Sequence, residues 1–517
     1  MTEDRQVPVQ EEAPESPRVR GLMTTRMQIN ANRWLRKRLA YALSIRNVRM
    51  QFDPAKWLRS VPLVAAVAIM VGIGGGFVYS LFKPQGVIGE SKIVKDRDSN
   101  ALYVRLNGKL YEALNMSSAR LVAGGAQSVV SVPRAEIERE AQGSKLGIPG
   151  APNDMTVTNG AGVQAAVCQR VPVNSSTAHV TVSVLDGGIV LGGRAAALAP
   201  DEAVVGALNG QTYVIFNGRK SVVDPADRIV LSALGISRSV TDRPSVLTTS
   251  LGNAIPSGLP LVAPAIPDAG IASQWKLGPS PIPVGAVITA DIPGQGVKFF
   301  VVLKEGVQEI TPVVAAMLRS QNAFGLSQPP QVTPDLLAAV PTVTVLEVSQ
   351  FPAAPLRVVD PGVRPVTCWL WERGRTAQSA TTTLIAGAEL PISPLADRSV
   401  VRVASSYGEH DGADQVYLGP GAANWVIQTG NSPKAASRET MWWISPQGTR
   451  FGVDTTSANV REALGLDDEP LGMPWNILRL IPSGLPKNVA LSKDDASVTH
   501  DRLAVDQSPA PIAEGMK

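Results

Sequence analysis

The sequence predicts an α+β, single-pass transmembrane protein with an elongated exterior region of four small ββα-like repeats around a β-rich central core. Three observations carry this expectation: an uncharged apolar run, a segregation of charge about it, and a recurring strand–Gly–strand–helix order downstream.

Ser60 to Phe82 holds 23 residues without one charged side chain, SVPLVAAVAIMVGIGGGFVYSLF. As a helix rising about 1.5 Å per residue it reaches roughly 34 Å, enough for a hydrocarbon core of about 30 Å. A cleavable signal has a shorter apolar region nearer the terminus and a small-residue cleavage site, which is missing after Phe82. The run reads as a permanent anchor. Within it Gly72 and Gly76 form a small-xxx-small pair that lets two spans approach closely. Pro62 falls in the first turn, where a missing N–H is harmless.

Of the 48 Lys+Arg and 44 Asp+Glu, 12 and 6 fall in residues 1–60, leaving 36 and 38 beyond. Arg33, Arg36, Lys37, Arg38, Arg46, Arg49, Lys56 and Arg59 crowd one flank of the run, while Lys83 stands nearly alone on the other. Excess Lys/Arg marks the cytoplasmic side. The N-terminal part is expected inside and the long remainder outside.

The two cysteines, Cys168 and Cys368, both lie beyond the anchor. An oxidising exterior invites one disulfide, which over a loop of about 200 residues stabilises by roughly 5 kcal/mol in the chain-entropy treatment. Two buried thiols are the alternative. His179, His410 and His500 show no ligand spacing with either cysteine, so no metal site is assigned.

In chain order, residues 1–20 are Pro- and charge-rich and are expected to be disordered. A basic amphipathic cytoplasmic helix falls within 21–59, capped by Thr24 or Thr25 and running from about Arg26 to Met50. Its apolar stripe of Leu35, Leu39, Ala42 and Leu43 follows helical spacing. With Trp34, Arg36 and Arg38 it forms a candidate docking face for lipid or a partner; a solvated basic flank is the other reading.

After the span at 60–82, repeat one is expected within 83–152, on Gly108 with Asn115 as cap. Repeat two falls in 206–240, on Gly218 with Asp224 as cap; repeat three in 293–330, on Gly306 with Thr311; repeat four and a closing segment in 436–495, on Gly448 with Asp454. The glycines are separated by 110, 88 and 142 residues, too irregular for a solenoid. Core parts are expected at 153–205, at the Pro-rich 241–292 and at 331–435, with HVTVSVL, TVTVLEV and RSVVRVA as strands. Residues 496–517 read as a flexible tail.

No catalytic constellation emerges. A P-loop needs G-x-x-x-x-G-K-[ST] so that amides, Lys and a hydroxyl converge on phosphate, and Gly218–Ser221 (GRKS) has Arg at the required Gly–Lys step. Neither G-x-G-x-x-G nor G-x-S-x-G occurs. His410 lies near Glu409, Asp411 and Asp414, a weak cation candidate against a solvated acidic loop. The basic cluster is pinned to the membrane flank, leaving no phosphate-tracking face for nucleic acid. No catalytic residue, metal or cofactor is assigned.

Several blocks in order resemble the EccB family of mycobacterial and actinobacterial type VII (ESX-type) secretion systems. Thr24–Met50 (TTRMQINANRWLRKRLAYALSIRNVRM) looks like the family's cytoplasmic helix. The stretch KPQGVIGESKIVKDRDSNALYVRLNGKLYEALNMSSARLVAG is similar to its first exterior repeat, and GIPGAP (Gly147–Pro152) to its most recognisable short motif. CWLW (Cys368–Trp371) resembles the second half of its cysteine pair, and Pro474–Ala496 its closing segment. The resemblance implies a single-pass assembly subunit of an inner-membrane complex, with its bulk in the periplasm and self-association through the repeats. It implies as companions an FtsK/SpoIIIE-type motor ATPase, a polytopic channel-like subunit, a further membrane subunit and a subtilisin-like protease. Members are sometimes labelled ATP-hydrolysing, a label the missing P-loop does not support. A membrane-anchored cell-wall-binding module, with Trp442 and Trp443 stacking on sugars or else buried in a strand, is the alternative.

Overall fold

The structure, a computed structural model, describes residues 26–46, 60–82, 86–173, 179–403, 412–457 and 459–500. The chain divides into two units, Met1–Gln85 and Gly86–Lys517.

In the first unit, Arg26–Ile45 is helical and buries no residue. The helix stops at Ile45, since Arg46 turns to φ 52°; residues 47–50 of its expected continuation and its cap at Thr24 or Thr25 lie outside the described residues. Leu35, Leu39 and Leu43 are exposed. Trp34 is half-buried beneath Arg38, whose guanidinium carbon stands 5.2 Å from the ring centroid. A second helix, Val61–Phe82, carries no charge along its 22 residues. Its side chains are described over 61–76, and among the described residues no helix is long and apolar enough to cross a membrane.

The second unit is built from sheets. Asn-Gly turns with both residues at positive φ, Asn107–Gly108, Asn209–Gly210 and Asn217–Gly218, reverse the chain between strands. This backbone matches the right-handed strand twist, so hairpins form on local sequence alone. Three small sheets share one strand order, third–second–first–fourth, with the fourth parallel to the first. The first comprises Ile93–Asp96, Leu102–Leu106, Lys109–Ala113 and Val129–Val132. The second comprises Glu202–Leu208, Gln211–Phe216, Arg219–Val223 and Ser245–Val246, with Arg357–Val358 added beside its first strand.

The last small sheet comprises Trp425–Thr429, Met441–Ile444, Arg450–Val453 and Leu471–Pro474. Between it and the second lies the three-stranded sheet Val287–Ile292, Gly296–Val302 and Val307–Ile310, in which a single parallel bridge, Thr289 to Gln331, stands where a fourth strand would be. A helix follows each third strand: Met116–Ala123, Arg228–Ala233, Pro312–Gln321 and Val460–Leu464.

The hairpins turn at the expected glycines and a helix follows each, but the sheets hold more. First strands at Glu202–Leu208, Val287–Ile292 and Trp425–Thr429 precede the expected unit starts at 206, 293 and 436. Asn115 and Thr311 cap their helices, accepting from the N–H of Ser118 and Val314. The other two caps differ. Asp227 caps Arg228–Ala233, while Asp224 closes a turn onto Ala226 N–H. Asn459 precedes Val460–Leu464 without a side-chain cap, and Asp454 is occupied by Thr456 and Ser457.

The central sheet has seven strands, in order Val401–Arg402, Gln415–Leu418, Thr181–Asp186, Gly162–Arg170, Val366–Gly374, Thr381–Gly387 and Ala195–Ala197. Cys168 and Cys368 face each other on its two middle strands and form a disulfide, both fully buried. HVTVSVL supplies one strand, and RSVVRVA only Val401–Arg402. TVTVLEV is not a strand of this core. Its main chain instead serves the third small sheet: Val343 donates to Val307 O, and Leu346 to Oε1 of Gln308.

One face of the central sheet, with Val163, Val167, Trp369 and Trp371, packs on apolar residues of the second and fourth small sheets. The first and fourth small sheets share another core, as do the second and third. In each pair the helices meet, Met116–Ala123 against Val460–Leu464 and Arg228–Ala233 against Pro312–Gln321.

The Gly147–Pro152 motif wraps the start of Met116–Ala123: Asn115 Nδ2 donates to Ile148 O, Ser117 Oγ to Pro152 O, and Ile148 N to Ser118 Oγ. Side-chain and main-chain groups at a helix start are thereby satisfied within the chain. Of the expected tail at 496–517, residues 496–500 are described and the rest lie outside the described residues. Ala496 is buried, Thr499 bridges to Leu146, and His500 N donates to Lys145 O, fixing the chain as far as His500.

Candidate functional site

The edge strand of each small sheet is covered in the same way. Leu110, Lys220, Val307 and Arg450 each donate N–H to a downstream carbonyl and accept from the residue two further on. The downstream pairs are Ala141 and Gly143, Pro256 and Gly258, Pro341 and Val343, and Pro482 and Gly484. Pairing removes the open edge that a sheet otherwise offers to aggregation. Glycine at three of these straps is a packing requirement. A Cβ on Gly143 would lie 2.2 Å from the Tyr111 ring, on Gly258 2.5 Å from Ser221 Oγ, and on Gly484 2.3 Å from the Phe451 ring.

An aromatic ring stands at one register position throughout. Tyr103, Tyr213, Phe300 and Trp442 pair with the residue two beyond that covered position, namely Glu112, Val222, Glu309 and Gly452. In the second and fourth sheets the covered residue is a cation over that ring: Lys220 lies 5.7 Å from the Tyr213 centroid, and Arg450 4.5 Å from that of Trp442. The same hexapeptide, Ile-Pro-Ser-Gly-Leu-Pro, straps both sheets, as Ile255–Pro260 and Ile481–Pro486. That exact repeat is a signal in the sequence, and it marks two of the four units without naming their chemistry.

Around Arg450 opens a cleft of about 1220 Å³, lined among others by Trp442, Trp475, Thr455 and Asn488. Arg450 also lies 5.0 Å from the Trp475 centroid, and its Nε donates to Ile481 O at 2.6 Å. Among the described residues no carboxylate pairs with it. Burial pushes its guanidinium down to about 10. Trp443, the alternate residue, points inward: it is buried and its Nε1 donates to Thr156 O.

A buried carboxyl lies at the entry to the fourth sheet. Asp186 is fully buried, and its Oδ2 accepts from Ala423 N at 2.8 Å while Oδ1 has no partner among the described residues. Burial pushes its carboxyl up to about 8, against the pull of main-chain N–H groups at Ala423, Gln164 and Gly187.

Of the residues singled out from sequence, the two cysteines are brought together, and the others lie in separate places. Cys168 and Cys368 form the central crosslink. Gly72 and Gly76 have open space where a Cβ would stand. Trp34, Leu35, Arg36, Arg38, Leu39 and Leu43 lie on the N-terminal helix. His410, Glu409 and Asp411 fall outside the described residues, and Asp414 accepts from Val182 N.

Residues 22–505 match the family model described as type VII secretion system ESX-1, transport TM domain B. The chain is similar to the ESX-5 secretion system ATPase EccB5 of Mycobacterium marinum, with 38% identity over 95% of this chain and 96% of the relative. It is also similar to a chain of the periplasmic assembly from the ESX-5 inner membrane complex. That likeness has 37% identity and a TM-score of 0.73, and covers 83% of this chain and all of the other. A third likeness is to the EccB3 dimer from the ESX-3 core complex, with 34% identity, a TM-score of 0.70, and coverage of 79% of this chain and all of the other.

Proposed function

The chain belongs to the EccB family and is a core subunit of a type VII secretion complex of the inner membrane; we propose that it acts there as a single-pass assembly subunit. The observation that carries the reading is Val61–Phe82, an uncharged helix of 22 residues between a basic segment and the sheet-rich unit. Such a helix is about 33 Å long, the thickness of one hydrocarbon core. Its flanking charge puts residues 1–59 in the cytoplasm and the unit from Gly86 in the periplasm.

Gly72 and Gly76 would pack against a neighbouring span, where the absent Cβ permits close approach. Leu35, Leu39 and Leu43, with Trp34, Arg36 and Arg38, would dock the N-terminal helix onto a cytoplasmic partner, since an uncovered apolar stripe is costly in water. The partners we assign are an FtsK/SpoIIIE-type motor ATPase, a polytopic channel-like subunit, a further membrane subunit and a subtilisin-like protease.

We read the four small sheets as copies of one module, on their common strap and their common aromatic register. Copies of the chain would associate through them. ATP hydrolysis, which the relatives' names carry, is not assigned to this chain. Gly218–Ser221 lies in a hairpin, and Lys220 Nζ is committed to the Gly252 carbonyl.

Purification through a tag on this chain, followed by mass spectrometry, should recover a motor ATPase and a polytopic subunit; recovering neither sinks the reading. Replacing Gly72 and Gly76 with Leu should lower complex yield after mild detergent extraction. Undiminished yield would remove the span as a contact.

A further inference from the structure

We propose that the cleft between Trp442, Arg450 and Trp475 binds a saccharide that carries a single carboxylate. The cation is the first reason. Arg450 is charged at neutral pH, and among the described residues it meets carbonyl oxygen and indole but no carboxylate. A guanidinium presents five N–H donors in a planar fork that matches a carboxylate. Internal acids lie near enough to line the same cleft, yet Asp495 accepts from Ala490 N–H and Ser492, and Asp454 from Thr456 and Ser457.

The walls are the second reason. Trp442 and Trp475 adjoin at 5.9 Å between centroids, and Thr440, Thr455 and Asn488 add hydroxyl and amide groups beside them. Indole faces with scattered small polar groups suit a ring that is apolar on its C–H face and hydroxylated at its edge. The Trp442 ring lies over its cross-strand partner Gly452, where a Cβ would come within 3.3 Å of it.

The rim is the third reason. Glu439, Asp454, Asp494 and Asp495 line the cleft against two cations, Arg450 and Lys487. That excess of acid repels a polyanion more strongly than a ligand with one carboxylate, which pairs with Arg450 at the smaller cost.

The second small sheet supplies the internal contrast. There the equivalent Lys220 is sealed beneath Thr249–Ala254, with Nζ on the Gly252 carbonyl. In the fourth sheet the helix six residues before the same hexapeptide begins with Trp475, which walls the cleft rather than closing it.

The test is binding of N-acetylmuramic acid to the detergent-solubilised full chain, with N-acetylglucosamine and pyrophosphate as comparisons. Saturable binding is expected for the carboxylated sugar, on the order of tenfold tighter than for the neutral one. Arg450→Gln should lose on the order of tenfold in affinity with an unchanged thermal melt. Should that variant not fold, Trp475→Leu decides: a comparable loss is expected, and unaltered affinity overturns the proposal.

Absence of saturable binding, equal affinity for both sugars, tighter binding of pyrophosphate, or a folded Arg450→Gln that binds like the parent each overturn it as well. Co-sedimentation with insoluble cell-wall glycan stripped of its peptide stems, which frees the muramyl carboxylate, competed by the monomer, assigns the polymer as source. Soluble binding without co-sedimentation assigns free fragments.

Discussion

Lys220 of the second small sheet and Arg450 of the fourth occupy one register position, over one aromatic position, beneath one hexapeptide strap. Yet Lys220 is 8% exposed and bonded to a carbonyl, whereas Arg450 lines an open cleft. Equivalent positions in two like sheets thus acquire different character from what packs above them. The two sheets also enter differently from the central sheet. Buried Asp186 holds Ala423 just before the fourth sheet, while the second begins at Glu202, paired with Arg364 at 2.7 Å.

The entry groups give the largest expected effect. The Asp186 carboxyl titrates near 8 in the folded chain, well above an ordinary aspartate. The native state therefore keeps its proton to higher pH than the unfolded chain does. This contribution to stability is complete below about pH 4 and is lost as pH rises towards 8, a change of roughly 3–5 kcal/mol. Thermal melts from pH 4 to 8 should fall with pH in the parent and flatten in Asp186→Asn; identical slopes would remove Asp186 as the cause.

The straps give the next effect, and they sharpen the contrast. A methyl on Gly484 meets the buried ring of Phe451, while one on Gly258 meets a serine hydroxyl. Gly484→Ala should cost about 3 kcal/mol and Gly258→Ala about 1 kcal/mol in denaturant unfolding. A reversed order would show that the second sheet's strap is the more rigid.

The smallest effect belongs to the ion pair at the second sheet. The Arg364 hydrogen bond holds the Glu202 carboxyl below its ordinary value, against burial. Stability from this pair is present above the unfolded glutamate range and is lost as pH falls, opposite in sign to Asp186. Arg364→Met should cost about 1 kcal/mol or less at neutral pH, because both side chains remain partly in water. A loss as large as that of Gly484→Ala would contradict this assignment.

These differences mark how far the sequence could be read. Hairpins on Asn107–Gly108 and Asn217–Gly218 were legible because the turn is chemistry of two adjacent residues. Caps were legible at Asn115 and Thr311 and misplaced at Asp224 and Asp454, where several Asp, Asn, Ser and Thr compete within a few residues. The parallel fourth strands were not legible. Ser245–Val246 is two residues long and is strand only because Glu202–Leu208 offers it an edge. TVTVLEV alternates like a strand, but its hydrogen bonds go to Val307 and Gln308. The candidate site was half legible: Trp442 was singled out, but neither Arg450 nor Trp475 was, since nothing local separates Arg450 from any other strand arginine.

The sequence by itself determined the uncharged helix at Val61–Phe82, the charge asymmetry about it, the hairpins and the availability of two cysteines. Each depends on residues within a turn or two, where periodicity and backbone preference decide the outcome. The tertiary structure alone decided that the first small sheet shares a core with the fourth and the second with the third, and that Cys168 faces Cys368. It alone decided that Asp186 is buried and Arg450 is not sealed. Apolar faces and strand edges are generic partners, and ionisation follows burial, so these outcomes depend on which distant segments come together.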